Sequence, residues 1–173
     1  PTSEPQLQLR LPTERYYEEE GRAELTPRDF GILMHRVFEN AATTDEIYMA
    51  IEAMTQDGVL DEKEAPRLRE LVEKALADPV TAEWFGGRGQ VVRNENEIIL
   101  PGSGTTRRPD RVMTDGERAV VVDYKFGDRE TARHRKQIRE YLRLLRQMGY
   151  TRTEGYLWYV RLGRTERVEE KED

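Results

Sequence analysis

Residues 107–125 read Arg-Arg-Pro-Asp-Arg-Val-Met-Thr-Asp-Gly-Glu-Arg-Ala-Val-Val-Val-Asp-Tyr-Lys, and the fold turns on how this stretch pairs with itself. Two strand-like runs flank Asp115-Gly116, a strong signal for a two-residue hairpin. With a tight loop there, Thr114 faces Glu117 and Asp110 faces Val121. Opposed residues share a face, as do residues two apart on one strand. Asp110, Asp123 and Lys125 are therefore expected on one side of the sheet, with Asp123 the diagonal neighbour of Asp110 at roughly 7–8 Å. Val120 and Val122 point one way, Ala119 and Val121 the other, which is the pattern of a buried central strand. Charges at the end of such a strand are costly unless paired or bound to metal. Hard carboxylate oxygens suit Mg2+ or Mn2+ rather than zinc. A structural ion pair among the same three residues is the plainer alternative.

With 173 residues the chain is long enough for one domain with a sizeable core. Charged residues make up 36% and the net charge is −6, which is not the global signature of a nucleic-acid binder. A local basic surface and bound cations are compatible with that balance. The absence of cysteine excludes disulfides and thiolate metal sites. No apolar run is long enough to span a membrane and no secretory signal is visible, so a cytoplasmic protein without a membrane partner is expected. The chain begins at Pro1 rather than Met, as a piece of a longer protein would. Residues 1–25 are polar and read as an arm or linker, with a brief alternation over 6–11.

Thr26-Pro27-Arg28-Asp29 starts a helix that runs to Glu39, with Phe30, Leu33, Met34 and Val37 as its apolar stripe. His35 and Glu39 fall one turn apart on one side, and Gly31, four before His35, permits close approach of another element. A second helix is expected from Thr44 to near Gly58, and a third opened by Asp61 with Glu64 in a capping box. Residues 81–85 read as a short turn or helix. The break at Gly86-Gly87-Arg88-Gly89 lacks the Lys-Ser/Thr of a phosphate loop. Residues 90–100 read as one continuous core strand with Glu95 and Glu97 on one face. Beyond Lys125 a basic helix spans about 128–148 with Arg129, Arg133, Arg135, Lys136, Arg139, Arg143 and Arg146, and it sets Gln137 and Tyr141 on one side. Residues 155–160 form the last expected strand, and 164–173 a charged tail.

Pro109-Asp110 followed on the adjoining strand by Asp123-Tyr124-Lys125 resembles the paired motif of the PD-(D/E)XK nuclease superfamily. The run Gly31-x-x-x-His35-x-x-x-Glu39 and the pair Gln137-x-x-x-Tyr141 resemble its RecB-type branch. The resemblance implies an α/β fold with a restriction-endonuclease-like αβββαβ core. A mixed central sheet is flanked by helices, with a helical insert after the first one. The nuclease domain would span 26–162, between the arm at 1–25 and the tail at 163–173. Asp110, Asp123, Lys125 and Glu95 would be catalytic, with Glu97 the rival of Glu95. His35, Asp110, Asp123 and Glu95 would surround Mg2+, with Mn2+ as a substitute, while Gln137, Tyr141, Arg133 and Arg139 would line the site or meet DNA. Without cysteine, the relatives that carry an iron–sulfur cluster are excluded.

The implied activity is metal-dependent hydrolysis of DNA phosphodiesters. In that branch such a domain is commonly the C-terminal nuclease of a bacterial UvrD/RecB-like helicase–nuclease that processes double-strand breaks for recombinational repair, acting at the nucleoid. The implied partners are DNA and helicase domains of the same longer chain or of a partner helicase–nuclease subunit. Two other classes compete: a nuclease-fold domain that binds DNA ends or a helicase partner without cutting, and an acidic scaffold. A site-specific endonuclease is the further enzymatic alternative, and no recognition element for it is visible.

Overall fold

The computed structural model describes residues 27–87, 91–94, 98–99, 106–127 and 132–170. The first helix, α1 (Pro27–Glu39), forms as its periodicity requires and buries Leu33, Met34, Val37 and Phe38. Helix α2 (Thr44–Gln56) is capped by Thr43, whose hydroxyl accepts from the Glu46 amide while the Glu46 carboxylate accepts from the Thr43 amide. The capping box thus lies here and not at Asp61–Glu64. Asp61 instead accepts from the Lys63 amide at 2.7 Å and bends the chain ahead of α3 (Ala65–Ala75). Asp78 caps the short α4 (Pro79–Trp84) through the Val80 amide.

Within the strand expected at 90–100 the structure describes β1 (Val91–Asn94) and β2 (Ile98–Ile99), and β2 pairs with β3 (Thr106–Arg107) as a ribbon. Then follow β4 (Arg111–Asp115), β5 (Arg118–Lys125), α5 (Ala132–Gln147), β6 (Arg152–Tyr159) and β7 (Arg164–Val168). The main sheet has the order β1-β4-β5-β6-β7, and only β5 and β6 run parallel in it. Residues 164–168, read from the sequence as tail, are therefore an edge strand. Val168 alone among them is buried, and charged side chains are what an exposed edge tolerates. The chain has the α/β fold expected from the sequence, a mixed sheet flanked by helices in restriction-endonuclease-like fashion.

Two cores sandwich the sheet. Helices α1 to α4 cover one face, where Phe38, Trp84 and Phe85 pack on Val120, Val122, Tyr124 and Trp158. Helix α5 covers the other with Ile138, Tyr141, Leu142 and Leu145 over Ala119, Val121 and Leu157. Residues 119–124 of β5 are buried on both faces, as alternating apolar side chains of a central strand demand. Helix α5 approaches β6 closely at Gly155, where an added Cβ would lie 2.4 Å from Ile138 Cγ2 and 3.2 Å from Leu142. Gly155→Ala is therefore expected to cost about 1–3 kcal/mol through overpacking. A drop in the urea midpoint at unchanged m-value would register it, and an unchanged midpoint would show that the helix can lift freely.

The hairpin register differs from the expectation by two residues. Asp115 pairs with Arg118 and Arg111 with Val122, so the loop is Gly116-Glu117. Gly116 has φ 56°, and placing it first in the loop supplies the positive φ that tight hairpin turns need. An even shift leaves every side chain on its expected face. It also brings Asp110 opposite Asp123 rather than Val121, since the register sets Arg111 against Val122.

Candidate active site

Asp110 and Asp123 clasp each other through backbone amides. The Asp110 amide donates to Asp123 Oδ1 at 3.1 Å, and the Tyr124 amide donates to Asp110 Oδ2 at 2.8 Å. Each carboxylate is thus fixed by the strand that carries the other, at the point where the β4–β5 ladder ends. The remaining oxygens face side chains: Asp110 Oδ1 lies 3.4 Å from His35 Nδ1, and Asp123 Oδ2 lies 3.6 Å from Lys125 Nζ. Asp123 is 3% exposed, and the buried Pro109 precedes Asp110 without needing a partner for an amide proton.

Helix α1 delivers His35 to this corner. Its ring stands 4.8 Å from Phe126 and 6.0 Å from Tyr124, centroid to centroid. A Cβ added at Gly31 would meet Phe126 at 3.6 Å, ordinary contact, so the helix rests on Phe126 without demanding a glycine. Glu39 is half-buried at the end of the same helix.

Arg111, next to Asp110, points to the opposite face and is fully buried. Its guanidinium donates to the carbonyls of Ala41 at 2.6 Å, Ala42 at 2.9 Å and Trp84 at 2.7 Å, and stacks 4.0 Å from the Phe85 ring centroid. Those carbonyls lie just past the end of α1 and at the end of α4, where helix dipoles favour a cation. Burial lowers the Arg111 pKa from its ordinary value. Burial likewise raises that of the Tyr124 phenol, with the Arg111 charge partly offsetting it.

On α5 the Gln137 side-chain amide donates to the Tyr141 hydroxyl at 3.1 Å. Tyr141 is buried in the core under the helix, because it falls on the apolar stripe with Ile138 and Leu145. Arg139 donates to the Glu169 carbonyl at 3.3 Å. Arg135 pairs with Glu166 and Arg146 with Glu170, so part of the basic helix fastens the C-terminal segment. Arg133, Lys136 and Arg143 are exposed. His134, which the sequence did not single out, lies one turn before Gln137. The charges acting on its ring are led by Lys125 and Asp123; the only sequence signal was its i,i+3 spacing to Gln137.

Two carboxylates and an imidazole are hard-to-borderline donors, a chemistry that fits Mg2+ or Mn2+. Among the described residues no three His, Asp or Glu side chains form a group ready to hold an ion. Glu95, Glu97 and Arg129 lie outside the described residues, as does the alternation at 6–11. No helix among the described residues is long and apolar enough to cross a membrane. A protein-family model described as the PD-(D/E)XK nuclease superfamily matches residues 6–173. No curated protein matches the chain.

Proposed function

The chain belongs to the PD-(D/E)XK nuclease superfamily, whose members are typically phosphodiester-hydrolysing nucleases, and from that footing we propose that its acid corner is the active site of a metal-dependent DNA nuclease. The reciprocal clasp of Asp110 and Asp123, with Lys125 against the second, carries the reading. Both acids are held by amides before any substrate arrives, so little reorganisation is needed during the reaction. Asp110 and Asp123 would hold Mg2+, or Mn2+ in its place, with His35 beside Asp110 and either Glu95 or its rival Glu97 as the expected further donor. A divalent ion there supplies Lewis acidity and a water of lowered pKa. Lys125 orients the attacking water or offsets charge growing on the phosphate. Exposed Arg133, Lys136 and Arg143 meet the phosphate backbone without reading sequence.

The Gln137–Tyr141 hydrogen bond and the approach of His35 to Asp110 favour the RecB-type branch. In that reading the chain is the nuclease part of a helicase–nuclease that trims DNA ends at double-strand breaks for recombinational repair. Its partners are DNA and helicase domains, in the same longer chain or in a partner subunit.

Linear single- and double-stranded DNA should be cut with Mg2+ or Mn2+ and left intact in EDTA. Calorimetry should show Mn2+ binding that Asp123→Asn weakens. Absence of both DNA cleavage and Mn2+ binding in the intact chain would sink the reading. DNA binding without cleavage under either ion would favour the non-cleaving domain.

A further inference from the structure

On the α5 face beside Lys125, two buried polar atoms have no hydrogen-bond partner among the described residues: His134 Nδ1 and the Tyr159 hydroxyl. Tyr159 is 0% exposed and stands in register with Lys125 across the parallel β5–β6 pair, so both side chains leave the same face. The Val160 amide donates to the Lys125 carbonyl at 3.0 Å and continues that pairing. His134, in the first turn of α5, lays its ring against Tyr159 with centroids 6.4 Å apart. Burial first, and then the Lys125 charge, lower the His134 pKa, which favours a neutral ring able to accept a hydrogen bond.

The hydrogen-bond accounting is complementary. An ammonium has three donors and no acceptor, and Lys125 has Asp123 as its ion-pair partner. The side chain of Lys125 leaves the sheet on the same face as Tyr159, and its charge acts on the His134 ring, where the two acceptors lack donors. Buried polar groups left unpaired are rare in folded proteins and call for an explanation.

We propose that His134 and Tyr159 are positioning residues that seat Lys125, accepting from its ammonium through a bound water and holding it over the acid pair. The seat is a property of the folded chain. Its consequence for catalysis rests on the nuclease reading above.

Two readouts separate these. In protein labelled with nitrogen-15 at lysine, the Lys125 ammonium should give a slowly exchanging proton–nitrogen signal at low temperature, assigned by its loss in Lys125→Arg. His134→Ala should abolish that signal at unchanged melting temperature. His134→Asn, whose amide oxygen can take the place of Nδ1, should retain it, and Tyr159→Phe should weaken it. In cleavage of linear DNA, His134→Ala should lose about tenfold in kcat at unchanged KM, the scale of one hydrogen bond to a charged group, with recovery in His134→Asn. A Lys125 signal absent from the wild type, or equal in wild type and His134→Ala, overturns the seat. A rise in KM at unchanged kcat assigns His134 to holding nucleic acid and also overturns it. Wild-type protein that shows the seat yet cuts no DNA overturns the nuclease reading alone.

Discussion

Lys125→Ala is expected to lower kcat for DNA cleavage by about 10²–10³, the scale of removing one fixed group that stabilises developing charge. The side chain is only 21% exposed, and its ammonium lies 3.6 Å from Asp123 Oδ2. Partial exclusion of water strengthens its effect on a charge forming nearby. The acid pair should keep its shape in the variant, because Asp123 Oδ1 is held by the Asp110 amide and Asp110 Oδ2 by the Tyr124 amide. The variant should therefore bind Mn2+ and DNA about as the wild type does while failing to turn over. Lys125→Arg should recover little, since a planar fork on a differently shaped stem cannot occupy the same point. Single-turnover cleavage under saturating metal measures the effect. A rate within threefold of wild type would remove Lys125 from the chemistry and leave it as an ion-pair partner of Asp123.

The side-chain faces of the hairpin were legible because strand periodicity is two, and an error of two residues in register leaves them intact. The distance between the acids was not legible. It depends on whether Asp115 or Gly116 opens the loop, and Gly116 takes that place with φ 56°. The apolar stripe of α1 was legible, and its residues Leu33, Met34 and Val37 are buried together with Phe38, which leaves position 35 on the flank of the helix. Tyr141 was legible in the same way, since it falls with Ile138, Leu142 and Leu145 on the apolar face of its helix, and the structure buries all four there. Edge strand β7 was hidden because Arg-Thr-Glu-Arg-Val carries one apolar residue, too few for a pattern of alternation.

Gly155 and Arg111 were illegible for a shared reason: each answers to atoms far away along the chain. Gly155 makes room for Ile138 on α5. Arg111 reaches carbonyls 70 and 27 residues away. An arginine in a charged stretch beside an aspartate reads as surface, and only the convergence of two helix ends makes a buried site for it.

That convergence makes Arg111 the residue whose loss should damage the fold most. Arg111→Met keeps much of the volume and removes every donor. The carbonyls of Ala41, Ala42 and Trp84 would then lose their shared partner, at about 1–3 kcal/mol for each that stays buried and unpaired. Removing the guanidinium also removes its own desolvation cost, so the net loss falls below the sum, at about 3–5 kcal/mol. For a domain of this size that corresponds to roughly 10 °C in Tm. Arg111→Lys should lose less, because an ammonium can still donate to some of these carbonyls, but it gives up the stacking on Phe85. The effect should also reach the acid corner. Arg111 ties the chain just beyond α1 to the residue after Asp110, while α1 itself supplies His35 to Asp110. Loosening that tie should separate His35 from Asp110 even at temperatures where the variant stays folded. Thermal unfolding followed by circular dichroism, with the His35 ring proton shifts recorded at 10 °C, tests both steps. A Tm within 2 °C of wild type would mean that the carbonyls find other partners, and that the helical layer holds its place on the sheet through apolar packing alone.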